Sequence, residues 1–471
     1  MTRWRGPVGD RELAVELDRV SPVTLHEQLE RALRTAVREG RLLAGARLPS
    51  TRALSSALGV SRGVVSEAYG QLAAEGYLSL RQGAPVTVAS AVRSAVSPVP
   101  ARTLAPRPAY DLSPGRPDLA GFPRDAWLRS LRAAWRAAPI DSIGYSDPRG
   151  LPELRDPLAG YLGRARGAAV DPEHLLVTGG FRQAFSLTAR WLAEQGVERV
   201  AVEDPGWHPH RLTLEQAGLE VVPVPVDADG LDVNALTAYD AAAVVVTPAH
   251  QFPTGVEMSP ERRAALIEWA ERNERLIVED DYDAELRYDR TRRGALQGLA
   301  AERVLHIGSA SKRLAPGLRL GWMLTPSWLA WPLTSAKAVE DAGADAATQL
   351  ALADFITRGE LDRHLRRMRQ RYADRRDALR RAVGVHLPGA RMAGDAAGLF
   401  ELVELAPGAE EAPVVAAAAA RGVGVEGLSL HSFAGDRPPG LVLGYGGYDP
   451  HGLEHAVARL GEAVEEVRAL P

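Results

Sequence analysis

The stretch GSASKRLAPGLRLG, residues 308–321, contains one of only two lysines in the chain. The second is Lys337, and arginine supplies every other basic side chain of the Lys and Arg types. A lysine amine can lose its proton and attack a carbonyl to form a Schiff base, whereas arginine stays protonated in proteins. Lys312 follows the apolar run RVLHIGS. Alone, this lysine is compatible with chance or with covalent chemistry, so the surrounding sequence has to distinguish the two.

Short apolar runs alternate with helical stretches on the N-terminal side of Lys312 and continue just beyond it. The runs are ERVAVED (198–204), AAAVVVTP (241–248), ERLIVEDD (274–281), RVLHIGS (303–309) and LRLGWMLTP (318–326). This alternation predicts an α/β domain with a mostly parallel sheet and helices on both faces. Ligands of such sheets bind at the carboxyl ends of the strands. The residues that follow each run are therefore the candidates for function.

Several runs end in groups that suit an anionic ligand with an aromatic ring. A glycine pair before a helix can bind phosphate through the backbone, although a plain tight turn is equally consistent with it. Hydroxyl groups and a guanidinium near a lysine also indicate a binding site for an anion. The residues are Gly179, Gly180 and Phe181 after LLVT, Asp280 and Tyr282 after LIVE, and Ser309, Ser311 and Arg319 around Lys312.

The acidic cluster after LIVE has two interpretations. Asp280, Asp281 and Asp283 could bind a metal ion, but no histidine pattern accompanies them. Together with the amine, the phenol and the phosphate-binding groups, the cluster also matches what pyridoxal 5′-phosphate (PLP) requires. A lysine bonds the aldehyde, an aspartate keeps the ring nitrogen protonated, and a phenol contacts the ring hydroxyl. We predict PLP as the cofactor and no metal.

The first 109 residues are basic, with 15 Arg against 9 Asp or Glu; this net charge of +6 leaves −10 for the remainder of a chain whose total is −4. Apolar periodicity in this segment predicts three helices, which are followed by a short hairpin. The helical stretches are TLHEQLERALRTAVREG (24–40), LPSTRALSSALG (48–59) and VSRGVVSEAYGQLAAEG (60–76), and the hairpin strands are YLSLR and PVTVA. This order predicts a winged helix-turn-helix.

In a helix-turn-helix, the second helix lies in the major groove and presents its N-terminal residues to base edges. Residues at the start of the preceding helix and on the wing suit contacts with the DNA backbone. Periodicity alone leaves open a small helical domain with solvated arginines. The predicted DNA-binding residues are Ser50, Thr51, Arg52, Ser61, Arg62, Gly63 and Arg81.

Residues 91–110 contain four prolines among small residues and arginines, without a helical or strand period. We predict that this segment is a linker between a DNA-binding domain at 15–90 and a cofactor-binding domain at 111–471. The sequence has no cysteine, no apolar targeting segment and no run near the roughly 18 apolar residues of a spanning helix. A cytoplasmic location is therefore expected.

Two sets of motifs resemble a known family. The segment GRLLAGARLPSTRALSSALGVSRGVVSEAYGQLAAEGYL resembles the DNA-binding head of GntR-superfamily repressors. The motifs YSDPRG, VEDPGWHPHR, TPAHQFPTGV, VEDDYDAELRY and SASKRLAPGLRLG resemble a fold-type I aminotransferase fused to such a head, as in MocR-type PLP-dependent transcriptional regulators. The resemblance implies a multidomain protein: an N-terminal winged helix-turn-helix plus an α/β fold-type I PLP-dependent aminotransferase-like domain. It also implies a homodimer that binds double-stranded DNA with two half-sites.

The resemblance assigns roles to the residues that match the family motifs. Lys312 would form the Schiff base, Asp280 would pair with the ring nitrogen, and Tyr282 would contact the ring hydroxyl. Trp207 takes the position of a tyrosine that stacks on the ring, and Tyr145 would reach the phosphate of the neighbouring subunit. The expected phosphate-binding residues are Ser309, Ser311 and Arg319, with the backbone of Gly179, Gly180 and Phe181.

Two departures from the aminotransferase pattern bear on activity. Phe252 stands where catalytic relatives have an asparagine, and Val442 stands where they carry the arginine that binds the substrate carboxylate. An apolar side chain cannot pair with a carboxylate. The favoured interpretation is therefore a transcriptional regulator in which PLP is either the effector itself or a co-effector with an amine or amino acid. The alternatives are an active aminotransferase with a fused DNA-binding domain, and a DNA-binding protein with a cofactor-free scaffold.

Overall fold

The computed structural model describes residues 2–8, 11–81, 83–89, 108–289, 293–433 and 437–469. The chain divides into two compact units, Met1–Ala105 and Pro106–Pro471. Most of the predicted linker, residues 91–107, lies outside the described residues. The final residue of that predicted linker, Tyr110, already belongs to a strand of the second unit.

Three helices lie in the described part of the first unit, and their ends follow the sequence signals. The Ser50 side chain accepts a hydrogen bond from the Ala53 amide at 3.2 Å, and Gly59 ends that helix with φ of 61°. Such caps use the groups that a helix leaves unbonded at its ends. The elements are β1 (Thr2–Val8), β2 (Arg11–Leu17), α1 (Leu25–Arg38), α2 (Thr51–Leu58), α3 (Arg62–Ala74), β3 (Leu78–Ser79) and β4 (Thr87–Val88).

An antiparallel hairpin of β1 and β2 precedes α1, and the sequence analysis did not predict it. Val15 and Leu17, at the end of β2, are buried in the same core as Leu29 and Leu33 of α1. The sequence of β1, TRWRGPV, contains a glycine and a proline, which weaken a strand pattern. The folded part of this unit therefore begins at Thr2, ahead of the predicted start at residue 15.

The second unit is built around an eight-stranded sheet with the order β6-β13-β12-β11-β10-β7-β8-β9. Strand β13 runs antiparallel to its two neighbours, and β9 is antiparallel to β8. A second sheet has the order β14-β15-β18-β17. The strands are β5 (Tyr110–Asp111), β6 (Leu175–Thr178), β7 (Arg199–Asp204), β8 (Glu220–Asp227), β9 (Gly230–Leu231), β10 (Ala243–Val246), β11 (Leu276–Asp281), β12 (Val304–Ser309), β13 (Gly321–Leu324), β14 (Arg391–Ala393), β15 (Phe400–Glu404), β16 (Val423–Gly424), β17 (Glu426–Gly427) and β18 (Gly440–Gly444).

Helices cover both faces of the large sheet, as the alternating sequence pattern predicts. In β10, Ala243 and Val245 pack in the core that includes α6, whereas Val244 and Val246 pack in the core that includes α9. The helices are α4 (Arg124–Ala137), α5 (Pro152–Arg166), α6 (Phe181–Glu194), α7 (His208–Gln216), α8 (Val233–Leu236), α9 (Pro260–Arg272), α10 (Ala310–Arg313), α11 (Ser327–Glu340), α12 (Ala346–Thr357), α13 (Glu360–His386), α14 (Glu411–Ala420) and α15 (Pro450–Arg468).

Short 3-10 turns connect several of these elements, at Ile140–Ile143, Pro172–His174, Pro316–Leu318 and Leu428–His431. Within the described ranges, no helix combines the length and the apolar character needed to cross a bilayer.

Candidate functional site

A cavity of about 450 Å³ opens where the carboxyl ends of the parallel strands meet. This is the edge at which open α/β sheets bind their ligands. Each of the strands β6, β7, β10, β11 and β12 sends at least one following residue into it. Eight of the predicted cofactor residues line the cavity, namely Phe181, Trp207, Asp280, Tyr282, Ser309, Ser311, Lys312 and Arg319.

Lys312 lies on α10, the single helical turn that follows β12. Its amine donates a hydrogen bond to the carbonyl of Gly115. Gly115 has φ of +76°, a conformation that favours glycine, and a Cβ atom there would lie 2.7 Å from the Lys312 amine, so a larger residue would displace the amine. Burial lowers the pKa of Lys312, although the charges of Asp283 and Asp280 oppose that shift. A lowered pKa increases the share of neutral amine, which is the nucleophilic form.

Asp280, at the end of β11, has one carboxylate oxygen bonded and one oxygen unpaired. Its Oδ2 atom lies 3.0 Å from His210 Nε2. Its Oδ1 atom is buried and has no hydrogen-bond partner among the described residues. Burial raises the pKa of Asp280, and the hydrogen bond from His210 acts against that rise. An unpaired buried carboxylate oxygen is costly unless a ligand donates to it, and a protonated ring nitrogen is such a donor.

The carboxylates of Asp281 and Asp283 are paired with other side chains. Asp281 Oδ2 lies 2.8 Å from Arg166 Nε, and Asp283 Oδ2 lies 2.9 Å from His250 Nδ1. Although burial would raise the pKa of Asp281, Arg166 and the other nearby cations hold it well below its usual range. Within the described ranges, no cluster of three His, Asp or Glu side chains could hold a metal ion.

Tyr282 and Phe252 line the part of the cavity next to Asp280. The Tyr282 hydroxyl donates to the backbone oxygen of His250 at 2.7 Å, and burial raises the pKa of Tyr282 well above its usual value. Toward a ligand, the neutral phenol therefore offers its oxygen as an acceptor. Gln251 does not replace the missing asparagine, because its amide donates to Pro205 O at 2.8 Å and to Phe252 O at 2.6 Å.

The predicted phosphate-binding groups meet at the start of α6. A Cβ atom on Gly180 would lie 3.6 Å from the Arg319 guanidinium, so this cation lies beside the helix N-terminus. Ser309 Oγ accepts from the Ser311 amide at 3.1 Å and lies 2.9 Å from Ser311 Oγ. A helix N-terminus with an adjacent guanidinium and hydroxyl groups suits a phosphate.

One predicted member of this phosphate site is already bonded within the protein. The Gly179 amide donates to Gln183 Oε1 at 2.6 Å. Gln183 is the third residue of α6, so its side chain reaches back to the turn before the helix. The Gly179 amide is therefore occupied in this structure, and its part in binding phosphate stays a prediction. The remaining donors are at Gly180, at Phe181 and in the first turn of α6.

Aromatic rings form one wall of the cavity. Trp207 meets His210 edge-on with ring centroids 5.1 Å apart, and meets Phe181 edge-on at 5.7 Å. The guanidinium of Arg182 lies 5.7 Å from the centroid of the Trp207 ring. Such contacts fix the orientation of an aromatic side chain. Trp207 is therefore held as a rigid surface for a flat ligand ring.

Sequence reasoning missed several functional residues. His210 is not among the predicted site residues, yet it is buried on α7 and bonds Asp280. Its position three residues after Trp207, at helical spacing, was the available signal. Gly115, Glu426 and His431 also line or shape the cavity, and no local pattern marked them. Tyr145 is fully exposed and does not line this cavity.

The predicted DNA-binding residues lie in the first unit at the starts of α2 and α3 and on the wing. Ser61 Oγ accepts from the Val64 amide at 3.4 Å, which leaves its own proton free to donate. Arg62 and Gly63 follow it at the exposed start of α3, and Arg52 is exposed near the start of α2. Arg81 is exposed after β3. Ser50 and Thr51 occupy the N-cap and first positions of α2.

The two units match two family models. Residues 25–88 match "Bacterial regulatory proteins, gntR family", and residues 113–425 match "Aminotransferase class I and II". The HTH-type pyridoxine biosynthesis transcriptional regulator PdxR of Corynebacterium glutamicum is 36% identical over 96% of this chain and 99% of its own length. The probable rhizopine catabolism regulatory protein MocR of Rhizobium meliloti is 34% identical over 97% of each chain.

The chain belongs to the MocR-type family of transcriptional regulators within the GntR superfamily. Solved structures resemble the second unit of this family member. An archaeal alanine:glyoxylate aminotransferase is 27% identical with a TM-score of 0.71, covering 76% of this chain and 91% of its own. LysN, the α-aminoadipate aminotransferase of Thermus thermophilus complexed with N-(5′-phosphopyridoxyl)-L-leucine, is 25% identical with a TM-score of 0.70, covering 77% and 93%. The second unit therefore has the fold-type I aminotransferase fold, which is the fold of a PLP-dependent family.

Proposed function

We propose that this MocR-type regulator binds specific DNA through its first unit and binds PLP covalently through Lys312 as an effector or co-effector. The observation that carries the proposal is the pairing of two groups in one cavity. The cavity holds a lysine amine whose pKa is lowered by burial, and a buried aspartate oxygen without a partner among the described residues. These two groups have the chemistry that the aldehyde and the ring nitrogen of PLP require.

Different residues of the cavity would hold different parts of this cofactor. PLP, when bound, supplies an aldehyde and an electron-withdrawing ring. Asp280 would hold the proton on the ring nitrogen, and His210 orients the Asp280 carboxylate. Trp207 would cover one face of the ring. The phosphate would be held by Arg319, Ser309, Ser311 and the start of α6.

The test of the proposal is a DNA titration with and without PLP. DNA fragments retained by the purified protein would first be identified, and their affinity then measured across PLP concentrations. PLP can shift DNA binding only if it has different affinities for the protein state that binds DNA and the state that does not. A coupling of about 1–3 kcal/mol would change the DNA affinity by roughly 5–150-fold. Unchanged affinity in the presence of bound PLP would count against an effector role.

An active aminotransferase is the competing function, because the cavity keeps the amine and the aspartate. Val442 is fully buried in an apolar cluster with Phe252 and Phe400, which disfavours a carboxylate substrate. Amino-acid turnover at ordinary enzyme rates would favour the enzyme interpretation.

We also propose that the protein is a homodimer and that its operator contains two half-sites, direct or inverted. The fully exposed ring of Tyr145 supports this, since it is free to contact a second subunit. Closed two-fold dimers are the commonest oligomers. Sedimentation at micromolar concentration with PLP bound is expected to give the mass of a dimer. A monomer under these conditions would contradict the proposal.

A further inference from the structure

Part of the cavity wall comes from the small second sheet, and that part carries a negative charge. Glu426, on β17, lines the cavity. Its direct partner across the antiparallel pair is Val442 of β18. Directly opposed residues of an antiparallel pair share one face of the sheet. At this position the small sheet therefore places an acid on the cavity wall, whereas Val442 itself is buried in the adjoining apolar cluster.

His431 holds Glu426 in this position. His431 Nε2 lies 3.2 Å from Glu426 Oε2, and the imidazole is almost fully buried. The His431 ring meets Phe252 edge-on with centroids 4.9 Å apart, which fixes its plane. Its Nδ1 atom is buried and has no partner among the described residues. Glu426 is thus a carboxylate on a rigid support, and His431 is a positioning residue.

Two arginines of the cavity lie near the start of α6. Arg319 lies beside Gly180, and Arg182 is in the first turn of α6, where it faces the Trp207 ring. Both are near the helix N-terminus that suits a phosphate. The remaining wall near Glu426 and His431 includes the apolar side chains of Phe252, Phe400 and Leu430. With Lys312 bonded to PLP, Glu426 is the acid that a ligand held between these side chains would meet.

We propose that the cavity binds, beside PLP, an amine ligand whose far end is a second cation and which lacks a carboxylate. Glu426 would accept hydrogen bonds from that cationic end, and a carboxylate there would be repelled by Glu426. The proposal rests on the proposed PLP function and narrows its effector to a diamine-like class. Charge-assisted hydrogen bonds are stronger than neutral ones, so the end group should control affinity.

The test compares three unbranched primary amines that share the same four carbons next to the amine, on the PLP-loaded protein. Putrescine ends in an ammonium, n-butylamine in a methyl group and δ-aminovalerate in a carboxylate. Calorimetric titration is expected to show putrescine binding about tenfold or more tightly than n-butylamine, and δ-aminovalerate binding weakest. Glu426→Gln should reduce the preference for putrescine over n-butylamine to about twofold or less. The glutamine keeps the shape of the side chain, and PLP absorbance reports that the variant is folded.

Glu404→Gln is the matched control. Glu404 lies on β15 of the same small sheet, pairs with Arg391 at 3.1 Å and does not line the cavity. This variant should keep the preference for putrescine. Equal binding of the three amines, tighter binding of δ-aminovalerate, or an unchanged preference in Glu426→Gln would each overturn the inference. A protein that takes up no PLP, which is measured first, would instead overturn the proposed function and the inference with it.

Discussion

Replacing Lys312 by alanine is expected to abolish the visible absorbance of protein-linked PLP and most of the effect of PLP on DNA affinity. Lys337, the only other lysine, is buried and ion-paired with Asp341 at 2.8 Å. No other lysine is therefore available to bond the aldehyde. If PLP is the signal, the coupling free energy between PLP binding and DNA binding, about 1–3 kcal/mol, should fall toward zero in this variant. The roughly 5–150-fold change in DNA affinity that PLP causes would then disappear. Absorbance spectra and DNA titrations across PLP concentrations measure both effects.

Lys312→Arg is the matched control for this experiment. Arginine keeps a cation near Gly115 but cannot be deprotonated, so this variant should also lack the absorbance of protein-linked PLP. Both variants should fold and retain weak PLP binding through Arg319 and Ser309. Identical PLP responses in the parent and in Lys312→Ala would show that the covalent bond is not the switch. No response in either protein, with PLP bound, would make PLP a fixed prosthetic group and leave the signal to another ligand.

The part of the site that follows strand ends could be predicted from the sequence. Asp280 and Lys312 come directly after buried runs, and in a parallel sheet those ends meet at one edge. Once LIVE and RVLHIGS are identified as neighbouring strands, their following residues must lie close together. Ser50 and Ser61 could be predicted in the same way, because helix capping depends on sequence that is local to each helix.

Residues that reach the site from distant segments could not be predicted. Gly115 accepts the Lys312 hydrogen bond across 197 positions of sequence, and nothing near Gly115 indicates that contact. Glu426 faces the cavity because β17 pairs with β18, and such pairing is a tertiary property. The glycine pair indicates the turn before α6. It does not indicate that the Gly179 amide bonds Gln183, because that bond depends on the rotamer of the Gln183 side chain. Local sequence patterns determine the helices and strands, whereas the packing of these helices and strands determines which polar groups stay available to a ligand.

Replacing Arg62 by alanine is expected to weaken binding to the operator and to relax its sequence preference. Arg62 is the first residue of α3, exposed at the end that a recognition helix presents to base edges. An arginine that contacts a guanine contributes about 1–3 kcal/mol of discrimination, which corresponds to a roughly 5–150-fold loss of affinity. The Ser61 cap does not depend on the Arg62 side chain, so α3 should persist. Titrations with the operator and with scrambled DNA measure both the affinity and the preference.

The control is Arg31→Ala, which removes another exposed arginine, from α1. Because a nonspecific loss of positive charge would weaken binding to every sequence alike, this variant should leave the ratio of operator to scrambled affinity unchanged. Arg62→Ala should lower that ratio while its PLP absorbance stays equal to that of the parent, since the PLP cavity lies wholly within the second unit. If Arg62→Ala bound every tested sequence as tightly as the parent, α3 could not be the recognition helix, and the assignment of the DNA-reading surface would be wrong.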